Sequence, residues 1–107
     1  MSSFDEREKG YERKFQQEQE LAFKVRARRN KLFGIWAAER LGLTGAAAET
    51  YANELVAAGL AHHGDAEIVD TVTRDFAAKG VGIDATRVQL ELEHYAAEAR
   101  KQYGAPR

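Results

Sequence analysis

The chain has 107 residues, of which 44% are hydrophobic and 31% charged, a composition that suits one domain with a modest core. A formal net charge of −1 argues against a dedicated nucleic-acid binder, and the lack of cysteine excludes disulfides, zinc–thiolate sites, iron–sulfur clusters and cysteine nucleophiles. No apolar run approaches the roughly 20 residues of a membrane span, and the charged N-terminus is unlike a signal peptide. We therefore expect a cytoplasmic protein without direct membrane insertion.

Residues 1–19 are almost entirely polar, apart from three aromatic residues. Phe4, Tyr11 and Phe15 are spaced i, i+7 and i+11, so they share one line on a helix, which Ala22 extends. Three aromatic side chains cannot offset the cost of ordering this backbone, roughly 1–2 kcal/mol per residue, but a partner's groove could supply the rest. The pattern predicts a mobile arm over residues 1–19 that folds as a helix on binding. The alternative is a solvated extension of the first helix whose aromatic side chains pack on the domain.

The first helix of the domain proper is predicted from about Glu20 to Leu41, with Gly42 as its left-handed stop. Its apolar stripe comprises Leu21, Val25, Leu32, Ile35 and Trp36, whereas Arg26, Asn30 and Lys31 fall outside it. Arg28 falls inside the stripe, so we expect it to snorkel or to pair with Glu39 or with a carboxylate on another helix.

Three further helices are expected after Gly42, each with an N-cap and a glycine stop. The predicted caps are Thr44, Asp65 and Asp84, and the predicted stops are Gly59, Gly80 and Gly104. Ile83 and Val88 are placed to form a hydrophobic staple at the last helix. The predicted inward faces are Ala47, Tyr51, Leu55 and Ala58; Ile68, Val72 and Phe76; and Val88, Leu92, Tyr95, Ala99 and Tyr103. The expected fold is all-α: a small four-helix bundle over residues 20–107 with a mobile N-terminal helical arm over residues 1–19.

Neither a metal site nor an active site is expected. The adjacent His62 and His63 would need His94 and a carboxylate such as Asp65 to converge with them, and loop histidines are usually solvated. The serines Ser2 and Ser3 lie in the polar terminus, and no phosphate-binding glycine loop is present. We expect no catalytic residues, no metal, no cofactor and no enzymatic activity.

The strongest electrostatic feature is a basic cluster on the first helix. It consists of Arg26, Arg28, Arg29 and Lys31. These side chains could bind a nucleotide, a phosphate or an acidic partner surface. Alternatively, they form a solvated face that pairs with glutamates such as Glu18, Glu20 and Glu39.

Three stretches carry a resemblance to a known family. They are Phe4-Asp5-x-Arg7-Glu8-Lys9-Gly10-Tyr11-Glu12-x-Lys14-Phe15, then Glu20-Leu21-x-Phe23-Lys24, and then Ala27-Arg28-Arg29-Asn30-Lys31-Leu32-x-Gly34-x-Trp36-Ala37-Ala38 with Leu41-Gly42. The chain resembles the zeta subunit family, the inhibitor subunits of the F-type ATP synthase in alphaproteobacteria. After Gly42 the likeness is looser. The stretch Gln16-Gln17-Glu18-Gln19 is less acidic than in the family, a departure that could alter affinity or pH response.

The resemblance implies that the arm enters the catalytic head between a catalytic and a non-catalytic subunit, reaches the rotor shaft and blocks ATP hydrolysis. The implied partner contacts are Phe4, Tyr11 and Phe15 as apolar anchors, with Asp5, Arg7, Glu8, Glu12, Arg13 and Lys14 as polar contacts. It further implies a location peripheral to the inner membrane. No long coiled-coil heptad run indicates a dimer, so we expect a monomer. Two other functions remain open, namely a nucleotide- or phosphate-sensing bundle that uses Arg26–Lys31 and a general helical adaptor.

Overall fold

The computed structural model describes residues 3–61 and 64–103, without the side chains of residues 3–13 and 15. It contains the four helices α1 (Ser3–Arg40), α2 (Gly45–Leu60), α3 (Asp65–Lys79) and α4 (Ala85–Gln102). No strand occurs in this part of the chain. The predicted all-α four-helix bundle with a helical N-terminal arm is therefore confirmed.

Helix α1 begins much earlier than the predicted start near Glu20. It is one continuous helix of 38 residues that begins at Ser3. The segment before Glu20 is rich in Glu, Gln, Lys and Arg and contains no proline, so intrinsic helix propensity outweighs the single Gly10, which costs about 1 kcal/mol. The backbone of the arm is thus an extension of α1.

The hydrophobic core lies where α1 packs against the other three helices. From α1 it takes Phe33, Trp36 and Ala37, and from the turn directly after α1 it takes Leu41. From the others it takes Leu55, Ile68, Val69, Val72, Phe76, Val88 and Leu92. The α3 face is as predicted, but on α1 the centre of the buried face is Phe33 and Trp36, while Leu32 and Ile35 are half-buried. Tyr103, predicted to face inward, is 43% exposed because it follows the last turn of α4.

The helix ends agree with the predictions at three of the sites where a cap or stop was expected. Gly42 and Gly80 have positive φ values of 81° and 74°, as left-handed stops require. The Asp84 side chain accepts a hydrogen bond of 3.0 Å from the backbone N–H of Arg87 and so caps α4. Ile83 packs against the core cluster that contains Val88, consistent with the predicted staple.

Of three other predicted ends, the position of Thr44 is confirmed, and those of Asp65 and Gly59 are wrong. Thr44 occupies the N-cap position of α2, but its side chain makes no capping hydrogen bond. Gly64 is the N-cap of α3, and Asp65 is the first helical residue, its carboxylate turned instead to Arg29 on α1. Gly59 does not stop α2; it is a buried helical residue, and a Cβ there would lie 2.3 Å from Asn30 Nδ2. Gly59 therefore allows α1 and α2 to approach closely, and it does not form a turn.

At Gly34 the backbones of α1 and α2 approach each other closely. A Cβ on Gly34 would lie 2.7 Å from Ala52 Cα, which is backbone and cannot move aside without shifting α2. We expect Gly34→Ala to lower the melting temperature, measured by circular dichroism, although Gly→Ala in an open helix gains about 1 kcal/mol. The control is Ala57→Gly at an exposed site of α2. There the change in melting temperature reflects only the difference in helix propensity between alanine and glycine. A melting temperature raised by Gly34→Ala would contradict the close contact.

Candidate partner-binding surfaces

The N-terminal part of α1 carries the predicted partner contacts. Lys14 is exposed, as are all residues from Gln16 to Glu20, so this stretch of helix presents its side chains to solvent. The remaining predicted contacts lie on the helical backbone but outside the described side chains. They are Phe4, Asp5, Arg7, Glu8, Tyr11, Glu12, Arg13 and Phe15. Their role in binding stays a prediction.

Three of the four cations of the basic cluster contact side chains on other helices, each on a different one. Arg29 forms a bidentate ion pair with Asp65 of α3, with N–O distances of 2.8 and 3.1 Å. Lys31 contacts Glu49 of α2 and donates to Asn53 Oδ1 at 2.8 Å. These partners lie across the bundle, unlike the predicted Glu18, Glu20 and Glu39, because folding brings distant carboxylates closer than neighbours along α1.

The other two cations of the cluster differ from each other. Arg28 donates from Nε to Gln102 Oε1 of α4 at 2.6 Å, so its partner is an amide and not the expected carboxylate. Arg26 is exposed and has no hydrogen-bond or ion-pair partner in the part of the chain that the structure describes. A nucleotide bound to all four would have to displace three existing contacts, and anion binding at this cluster stays a prediction.

Asn30 is a buried polar residue that sequence reasoning missed. It is 1% exposed, and its Nδ2 lies 3.5 Å from the carbonyl oxygen of Leu55. Its Oδ1 accepts a hydrogen bond of 3.0 Å from Arg29 Nε, so Arg29 connects Asn30 to Asp65. The signal was present in the sequence, since Asn30 precedes Phe33 and Ala37 by three and seven residues and so shares their face.

An open groove of about 460 Å³ lies between α1 and α4. Its apolar lining is Leu21, Ala22, Val25 and Ala96. Its charged lining is Glu18, Arg26, Arg29 and Arg100. The groove therefore begins where the predicted arm ends.

A smaller cavity of about 140 Å³ lies between α2 and α3. On its wall, Tyr51 donates a hydrogen bond of 2.7 Å to Asp75 Oδ2. Burial, followed by this bond to a carboxylate, raises the pKa of Tyr51 well above its usual range. The phenol thus remains a neutral donor that joins the two helices.

Of the three histidines, the structure describes only His94. His62 and His63 lie outside the described residues, and His94 is exposed with its ring 4.9 Å from that of Tyr95. Among the side chains that the structure describes, no three from His, Cys, Asp or Glu are grouped to hold a metal ion. Within residues 3–61 and 64–103, no helix combines the length and the apolar character that a bilayer span requires.

Comparison with known proteins identifies the family. A family model described as ATPase inhibitor subunit zeta matches residues 1–102, which includes the arm and all four helices. Comparisons with curated proteins and with solved structures gave no match. The family resemblance, dense over the first forty residues and looser after Gly42, is thereby confirmed. On this evidence the chain belongs to the ATPase inhibitor subunit zeta family.

Proposed function

We propose that this protein inhibits ATP hydrolysis by the F-type ATP synthase by inserting residues 1–19 into the catalytic head beside the rotor shaft. The bundle stays outside and holds the arm in place. The observation that supports this proposal is the extension of α1 as one continuous helix beyond the other helices. The protein makes and breaks no covalent bond in this role.

The dimensions of the molecule suit an insertion mechanism. The 38 residues of α1 span roughly 57 Å at 1.5 Å per residue, while α2, α3 and α4 have only 16, 15 and 18 residues. The whole molecule measures 66 × 27 × 26 Å. A single helix is about 10–12 Å wide with its side chains, so it fits a cleft between subunits that would exclude the bundle.

The arm's residues have distinct roles in this proposal. Phe4, Tyr11 and Phe15, which share one helical line by their spacing, are the anchors, each contributing about 1.5–3 kcal/mol when fully buried. The charged residues set the register of the arm in the cleft. They are Asp5, Arg7, Glu8, Glu12, Arg13 and Lys14.

Inhibition follows because rotation requires the subunit interface to open and close. A helix wedged in that interface must be expelled before rotation proceeds, and expulsion costs the free energy that the arm gained on binding. An arm that extends an existing helix already has the i to i+4 backbone pattern it needs, so binding orders fewer residues than it would for a coil. The partners are the catalytic, non-catalytic and rotor-shaft subunits, which a monomer would meet at the cytoplasmic face of the inner membrane.

The experiment that tests this proposal compares the two directions of the enzyme. Full-length protein is added to membranes that carry the ATP synthase, and ATP hydrolysis and proton-driven ATP synthesis are both measured. We expect hydrolysis to fall with increasing protein while synthesis is retained, because rotation in the synthesis direction expels the arm. If ATP hydrolysis and ATP synthesis fell equally, the protein would not block rotation in the hydrolysis direction alone. If hydrolysis did not fall, the proposed function itself would be contradicted.

A further inference from the structure

The groove between α1 and α4 is an apolar surface that the bundle leaves uncovered. Leu21 and Val25 on α1 are only half-buried, and Ala22 is exposed. Opposite them, α4 contributes Ala96, whose small side chain does not fill the space. The apolar side of α1 thus continues past the core, which begins at Phe33 on this helix, towards the arm.

The charges at the groove are mostly positive. Arg26 and Arg100 are exposed, and neither has a hydrogen-bond or ion-pair partner in the described part of the chain. Arg29 also lines the groove, but Asp65 already occupies its two terminal nitrogens. Glu18 is the one carboxylate in the lining, so an excess of free positive charge remains.

We propose that this groove binds an acidic amphipathic helical segment of the ATPase, and this inference rests on the proposed function. Apolar side chains of that segment lie against Leu21, Ala22 and Val25, and its carboxylates pair with Arg26 and Arg100. A volume of about 460 Å³ accepts several side chains from one face of a helix. Such a segment supplies both the apolar contact and the negative charge that the groove lacks.

This second contact gives the bundle a specific role. The arm ends at Gln19 and the groove begins at Glu18, so both sites are joined without a linker. When one site is bound, the other is held at a high effective concentration, and the two contacts together bind more tightly than either alone. The groove provides retention, while the arm provides inhibition.

A second copy of the chain is a poorer occupant. A symmetric contact at the groove would place Arg26 and Arg100 of one copy near the same residues of the other, and like charges at an interface cost several kcal/mol. Nucleic acid is disfavoured by the net charge of −1.

The test uses two full-length variants with the same change in net charge. The groove variant, Arg26→Glu with Arg100→Glu, reverses the charge of the two free arginines in the groove. The control variant, Lys24→Glu with Lys101→Glu, reverses the charge of two exposed lysines that lie on the same helices but outside the groove lining. Binding to the isolated catalytic head is measured by surface plasmon resonance at several salt concentrations, and the melting temperature of each variant is checked. We expect the groove variant to bind at least about tenfold more weakly, with a smaller salt dependence, and the control to stay within about twofold of wild type.

The outcomes separate this inference from the proposed function. If wild type inhibits hydrolysis and both variants bind equally well, the groove proposal is wrong while the inhibitor proposal stands. If wild type does not bind or inhibit the ATPase at all, the proposed function fails first. If the molar mass measured by light scattering differs between the groove variant and wild type, the groove is occupied by a second copy of the chain and the proposal is overturned.

Discussion

A chain that begins at Glu20 is expected to lose inhibition of ATP hydrolysis completely and to keep its fold. The exposed side chains from Gln16 to Gln19 contribute no core contact, and among the side chains that the structure describes, the first hydrogen bond from α1 to another helix is made by Arg28. Removal of residues 1–19 should therefore change the free energy of unfolding by no more than about 0.5 kcal/mol. Hydrolysis by the catalytic head, titrated with each chain, measures the first effect, and urea denaturation followed by circular dichroism measures the second.

Two results would contradict this picture of the arm. If the shortened chain unfolds, the arm is part of the bundle rather than an extension of it. If it is folded and inhibits as well as the full chain, inhibition belongs to the bundle surface.

Within the full chain, Phe15→Ala should weaken inhibition and leave stability unchanged; an unaltered inhibition curve would remove Phe15 from the set of anchors.

Trp36→Ala is expected to have the opposite effect and to destabilise the fold severely. The Trp36 side chain is 6% exposed, its ring stacks on Phe33 with centroids 5.8 Å apart, and it meets the edge of Phe76 on α3 at 5.6 Å. Truncation removes this contact between α1 and α3 and leaves a cavity, at a cost of about 3–5 kcal/mol. The total stability of a domain is only about 5–15 kcal/mol, so much of the chain would be unfolded at 37 °C.

The matched control is Phe23→Ala on the same helix. Phe23 is 49% exposed and lies outside the core cluster, so its truncation should cost much less than that of Trp36. Both variants are measured by urea denaturation followed by circular dichroism, since the protein has only one tryptophan and its fluorescence is lost in Trp36→Ala. Equal midpoints for the two variants would show that Trp36 is not the centre of the core.

Much of the architecture was predictable because it depends on residues near each other in the chain. The all-α class follows from helix-forming residues, and the face of α3 follows from the spacing of Ile68, Val72 and Phe76. The stops at Gly42 and Gly80 follow from the ease with which glycine takes positive φ. The family, and with it the proposed role of the arm, was recognisable from the motifs of the first forty residues.

Only the tertiary structure decided how the helix faces meet. Gly59 has the appearance of a helix stop in the sequence, yet it is buried within α2 and leaves space for the Asn30 side chain. Asp65 has the appearance of an N-cap, yet its carboxylate binds Arg29. Periodicity shows which residues share a face of one helix, but the distance to the next helix depends on side chains far away in the chain. For the same reason, the groove between α1 and α4 became visible only when Ala96 was placed opposite Leu21 and Val25.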